Sequence, residues 1–224
     1  MTIKALIFDF DGVITDTEPI HMNAWLSALE SFGISFSEND YKNFYIGLND
    51  RDFLYEIGRR NSVSFDDAQK TELIKIKAAI CMERLKSEIP LIPGVREFIE
   101  GSSKKYMLAI CSGALRSEIG FILKKSGLFD YFCTIISAES VEKGKPDPEG
   151  YIKTLEDLRV LSSSVILANE VAAIEDSPKG IEAARKAGLK CIGVTNSYPR
   201  AELTFANLVV DSLAELDSVS FDLK

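Results

Sequence analysis

Five short runs of this chain are apolar almost without interruption, and longer stretches of helical period separate them. The runs are Ala5–Phe8 (ALIF), Met107–Cys111 (MLAIC), Thr134–Ser137, Val171–Ile174 and Cys191–Val194, with Leu208–Val210 a weaker sixth. A strand with one wet face alternates apolar and polar residues, so a run without alternation is buried on both faces. Val95–Lys104, Ser117–Ser126, Glu149–Leu158 and Gly180–Ala187 carry helix-compatible patterns between those strands. The alternation predicts an α/β fold, a parallel sheet covered by helices on both faces.

The stretch from Glu18 to Glu88 breaks this rhythm. It reads as helices near Ile20–Phe32, Glu38–Phe44, Asp50–Asn61 and Phe65–Leu85, and Leu73, Ile76, Ile80 and Leu85 recur at roughly helical spacing. Pro19 at its start and the run Ile89–Gly94 (IPLIPG) at its end supply stiff connections. The expected layout is a core of residues 1–17 and 89–224, with residues 18–88 inserted as a small helical cap. The run 161–169 (LSSSVILAN) either leads into the strand at Val171 or pairs with it.

A formal net charge of −8 argues against nonspecific binding to nucleic acid or to an anionic membrane, which reward a basic surface. The N-terminal apolar run is broken by Asp9, so it is expected to be neither a signal peptide nor a membrane span. Cys81, Cys111, Cys133 and Cys191 are widely spaced without a CxxC pair, which suits free thiols in a reducing cytoplasm. A monomer is the default for a chain of 224 residues with this layout.

In an open parallel sheet, ligands bind beyond the carboxyl ends of the strands. Four expected strands end in groups with chemistry: Asp9 and Asp11 after the first, Ser112 and Gly113 after the second, the loop 142–148 (EKGKPDP) with Lys145 after the third, and Glu175-Asp176 at the fourth. Each has an ordinary reading alone. Asp9-Phe10-Asp11 suits a strand-end turn, Ser112-Gly113 a turn, Lys145-Pro146 a solvated loop, and Glu175-Asp176-Ser177-Pro178 a helix cap with proline in the first turn. Four independent accidents at successive strand ends explain the pattern poorly. Converging carboxylates need a hard divalent cation such as Mg2+. A lysine and a hydroxyl supply what a phosphoryl group needs, and one Asp can attack while the other handles protons. Gly12 and Gly113 suit backbone space beside a ligand.

The ordered segments DFDGVITDTE, CSGALRSE, KGKPDPEGY and IEDSPKGIEAARKAG resemble the haloacid dehalogenase-like hydrolase superfamily along the whole chain. The resemblance implies a Rossmann-like core with a helical cap, and a phosphatase hydrolysing a small phosphorylated metabolite of the sugar phosphate or phosphoglycolate type. It implies Asp9 as the nucleophile that becomes an aspartyl phosphate and Asp11 as general acid/base. Mg2+ would be held by the Asp9 carboxylate, the Asp11 backbone carbonyl and Asp176, with Glu175 as ligand or close support. Ser112, Gly113 and Lys145 would bind the phosphoryl group.

The opening segment, through GVITDT, His21 and Trp25, is also similar to β-phosphoglucomutases, in which the matching histidine belongs to the hinge of the cap. Two departures favour the phosphatase. The cap run 46–51 (IGLNDR) has Asp50 where the mutase pattern places its phosphate-binding arginine, with Arg51 one residue late. After Ser112 comes Gly-Ala-Leu-Arg rather than polar residues for a second phosphate. Candidate substrate contacts are His21, Asn49, Arg51 and Arg116. A module that keeps the fold without turnover is a third reading, disfavoured because no catalytic position carries an inert residue.

Overall fold

The structure is a computed structural model that describes residues 2–46 and 48–216. The cap-run residue Gly47 therefore lies outside the described residues. Six strands, β1 (Ala5–Phe8), β2 (Met107–Cys111), β3 (Thr134–Ile136), β4 (Val171–Glu175), β5 (Lys190–Val194) and β6 (Leu208–Val210), form one sheet in the order β3-β2-β1-β4-β5-β6. Every pairing is parallel. β1 lies between β2 and β4, with Phe8 in register with Ile110 and Ile174. The order reverses between β1 and β4, and that switch point is where an open sheet leaves a crevice beyond its strand ends.

The unbroken apolar runs are explained by burial on both faces. Ala5 and Ile7 pack with Ala109, Tyr151, Leu155 and Ala184. Phe8 points to the other face, edge-on to Phe98 and Phe132 at ring distances of 6.1 and 5.7 Å. The covering helices of this unit are α5 (Val95–Ser102), α6 (Arg116–Ser126), α7 (Glu149–Leu161) and α8 (Pro178–Lys186). α8 starts two residues before the expected Gly180, because the Ser177 side chain accepts from the Gly180 N–H and Pro178 takes the first helical position. The run 161–169 leads into β4 through a tight turn at Ala168–Glu170, with Lys4 and Arg159 donating to the Val165 and Ile166 carbonyls.

The chain divides into two compact units, Met1–Asp16 with Ile89–Lys224, and Thr17–Glu88. The second unit holds α1 (Glu18–Leu29), α2 (Glu38–Asp40), α3 (Asp50–Asn61) and α4 (Asp67–Ser87). Its core contains Trp25, Leu29, Tyr41, Phe53, Ile57 and Leu73, with Trp25 stacked on Phe53 at 4.4 Å. Residues Tyr41–Tyr45 wind as a π-helical turn, where sequence period suggested a continuous helix from Glu38. Lys77 is buried in this unit, paired with Asp50 at 2.9 Å, its ammonium 5.7 Å from the Trp25 ring. Among the described residues no helix is long and apolar enough to cross a membrane.

Candidate active site

The site grows from the end of β1. Asp9 continues the ladder through its N–H to the Ile174 carbonyl, and its own Oδ1 accepts from the Phe10 N–H at 2.7 Å. The chain then turns sharply. Three successive N–H groups, of Val13, Ile14 and Thr15, point at the Phe10 carbonyl, and the Gly12 N–H donates to Thr15 at 2.7 Å. Gly12 takes φ +75°, and a Cβ there would lie 1.8 Å from Asp176 Oδ2, so only glycine fits.

Asp9, Glu175 and Asp176 are all buried, with one carboxylate oxygen of each lying within 4.8 Å of the other two. The Lys145 ammonium stands among them, 2.9 Å from Asp9 Oδ1 and 2.7 Å from Glu175 Oε1. Glu175 also accepts from the Tyr151 hydroxyl at Oε1 and from Ser177 at Oε2. Asp176 accepts from Ser197 at Oδ2. Burial, reinforced by the Asp9 charge, pushes the Glu175 carboxyl up to about 7 and Asp176 well above the carboxylate range. Burial alone would lower Lys145, but the Asp9 and Glu175 charges outweigh it and hold the ammonium above its usual range.

Three carboxylates around one lysine leave an excess of two negative charges when all are ionised, in a place that water reaches poorly. That donor set, all hard oxygen, fits a divalent cation of the Mg2+ type. Glu175 is already engaged by Lys145, Tyr151 and Ser177. Asp9 Oδ2 and Asp176 Oδ1 make none of the bonds described above.

The other expected site residues fall as follows. Ser112, at the end of β2, is 6 % exposed and its Oγ accepts from the Ala114 N–H at 3.0 Å. Gly113 has open space where a side chain would stand, so unlike Gly12 it is not required by sterics. The Asp11 carboxylate is outside the three-acid cluster, while its backbone bridges to Thr15. Arg116 is engaged beside β3: its guanidinium donates to the Ile135 carbonyl at 2.7 Å and its N–H to Glu139. His21, Asn49 and Arg51 belong to the second unit. His21 Nδ1 lies 3.3 Å from Cys81 Sγ. Asn49 caps α3 by accepting from the Arg51 and Asp52 N–H groups.

Tyr151, Asn196 and Ser197 join the site without having been expected there. Tyr151 stands in the run KGKPDPEGY, on the first turn of α7, and its hydroxyl is the reason it differs from a purely apolar core residue. Asn196 and Ser197 lie just past Thr195 on the loop after β5, so the strand-end rule applied to a fifth strand points to that loop.

Known proteins resemble this chain in sequence and in fold. A phosphorylated carbohydrates phosphatase of Thermotoga maritima is 33% identical over 199 residues, covering 87% of each chain. A β-phosphoglucomutase of Bacillus subtilis is 30% identical over 96% of this chain and 92% of its own. The crystal structure of a β-phosphoglucomutase from Clostridium difficile superposes with a TM-score of 0.81 at 26% identity, covering 96% of this chain and 94% of that one. The model of the haloacid dehalogenase-like hydrolases matches residues 6–194, a span that takes in Asp9, Ser112, Lys145, Glu175 and Asp176, and the chain belongs to that family.

Proposed function

We propose that the protein is a Mg2+-dependent phosphatase that hydrolyses a small phosphorylated metabolite of the sugar phosphate type through an aspartyl phosphate on Asp9. The observation that carries this reading is the placement of Asp9 at the sheet's switch point, paired with Lys145 and beside two further buried acids. The phosphatase name of the Thermotoga maritima relative supports it.

In this reading an Asp9 oxygen forms a bond to phosphorus as the bond to the leaving oxygen breaks, and Asp11 gives that oxygen its proton. Asp11 then takes a proton from the water that attacks the aspartyl phosphate, which releases phosphate and restores Asp9. Lys145 and Ser112 hold the phosphoryl oxygens, and the lysine offsets their charge. Asp9, Asp176 and the Asp11 backbone carbonyl would hold Mg2+, with Glu175 beside them. When bound, the cation supplies the positive charge that lets an anionic phosphate approach an anionic nucleophile. We place the protein in the cytoplasm, as a monomer.

Mutase chemistry is the second reading, favoured by the 30% identity to the Bacillus subtilis enzyme. Against it, Asp50 is an acid paired with Lys77 where the mutase resemblance asks for a phosphate-binding arginine. An anionic side chain that already neutralises the nearest lysine is a poor seat for a second phosphate.

The test is phosphate release from a panel of sugar phosphates and phosphoglycolate with Mg2+. Asp9→Asn should lower kcat by at least about a thousandfold, the scale on which loss of an essential nucleophile reads. Turnover that survives Asp9→Asn removes the nucleophile assignment. Interconversion of β-glucose 1-phosphate and glucose 6-phosphate with little free phosphate selects the mutase instead.

A further inference from the structure

The loop after β5 makes two hydrogen bonds that the proposed chemistry does not use. Asn196 Nδ2 donates to the Gly12 carbonyl at 2.7 Å, and Ser197 Oγ donates to Asp176 Oδ2. Both side chains belong to exposed residues, so neither fills the core. Ser197 reaches an acid of the cluster, and Asn196 reaches the turn that passes beside it. The three segments meet so closely that a Cβ on Gly12 would lie 1.8 Å from Asp176 Oδ2 and 2.7 Å from Ser197 Oγ.

We propose that Asn196 and Ser197 are positioning residues for the divalent cation, a two-point clamp that sets the oxygen donors on both sides of its site. Ser197 fixes the rotation of the Asp176 carboxyl plane. Asn196 fixes the peptide plane that follows Gly12, while the Gly12 N–H, bound to Thr15 at 2.7 Å, fixes the plane carrying the Asp11 carbonyl. The Asp11 carbonyl expected to face the cation is thus held through the N–H of its own peptide and through the peptide that follows it. A hydroxyl suits the carboxylate because it donates to it without adding charge; a lysine there would compete with the cation. An amide NH2 suits the carbonyl, which needs a donor. Such outer partners commonly set metal affinity more than they set fold.

This inference rests on the phosphatase reading, and the experiment separates the two. Wild type, Ser197→Ala, Asn196→Ala and Ser197→Thr are titrated with Mg2+ without substrate, following the rise in Tm, and the Mg2+ constant for activation is measured at saturating substrate. Each alanine variant should raise both Mg2+ constants about tenfold, the lower end of the range for lost outer partners. KM for substrate at saturating Mg2+ should stay within about twofold, because no contact with substrate is removed. Melting in EDTA should be unchanged, and Ser197→Thr should recover wild-type Mg2+ binding through its retained hydroxyl. Unchanged Mg2+ constants in the alanine variants, with or without lowered melting in EDTA, overturn the clamp. A wild type that shows no Mg2+ stabilisation and no Mg2+-dependent turnover overturns the phosphatase reading itself.

Discussion

At the residue scale, one ammonium faces two carboxylates, with Lys145 2.9 Å from Asp9 and 2.7 Å from Glu175. Glu175 is fully buried, so removing the lysine leaves a charge that must either stay unpaired or take up a proton. Lys145→Met should therefore cost about 3–5 kcal/mol of stability, the usual penalty for breaking a buried pair, measured by urea unfolding in EDTA. Saturating Mg2+ should recover part of it. Equal stability of variant and wild type would mean that Glu175 is already neutral.

The thiols behave differently. Burial pushes Cys111 up to about 12, and Cys81, Cys111 and Cys191 are buried while Cys133 is exposed. A thiol reagent at pH 8 should label Cys133 ahead of the other three in the native protein, slowed by the bond of its thiol to the Leu108 carbonyl, and all four in denaturant. Fast labelling of a second site would contradict this packing. The placement of Asp9, Glu175 and Asp176 was legible in sequence because each sits at a strand end, a place defined by local pattern, while Lys145 was marked by the loop that follows the third strand. The roles of Tyr151 and Ser197 were not, since a hydroxyl gains meaning only from an acid brought to it by the fold.

Among elements, the loop that carries Lys145 is held by the helix that follows it. Glu149, on the first turn of α7, accepts from the Glu142 N–H at 3.0 Å and the Lys143 N–H at 3.0 Å, and pairs with Lys153. The Lys153 bond, then those two backbone donors, draws the Glu149 carboxyl from 4.5 down to about 2. A folded value below the unfolded one means that the contribution is complete above pH 4.5 and is lost as pH falls toward 2. Glu149→Gln should thus be less stable than wild type at pH 7, and the gap in Tm should close as pH falls through that window. A gap of constant size would show that charge is not what holds the loop. Helix existence was readable from apolar period throughout, but termini depended on caps. Ser177 moved the start of α8 back, and in the other unit Asp66 and Gln69 cap each other ahead of α4, so that α4 begins at Asp67 rather than near Phe65. The π-helical turn at Tyr41–Tyr45 left no mark in the sequence period, because its extra residue per turn packs Tyr41 and Tyr45 inward while the pattern still looks helical.

At the scale of the molecule, strand identity followed from burial on both faces, whereas strand order did not follow from any single segment. β1 is first in the chain yet central in the sheet. Replacing Ile7, fully buried in β1, by alanine should cost about 2–5 kcal/mol, and the loss should appear in the sheet-bearing unit, checked by urea unfolding with hydrogen exchange resolved along the chain. Loss confined to Thr17–Glu88 would contradict the division into two units.

The place where the chain leaves the sheet for residues 17–88 and returns is closed by a few bonds: Asp16 N–H to the Pro90 carbonyl, Ile92 N–H to Ile14, and Thr15 to Pro90 through its hydroxyl. As the ribosome delivers the protein, β1 emerges first but has no neighbours until residues 107–111 and 171–175 follow. The contiguous helical unit, ending at Glu88, is complete before either of those segments is made. Residues 17–88 are thus made before either partner of β1, and the first strand waits, unpaired and apolar, for the sheet to be built around it.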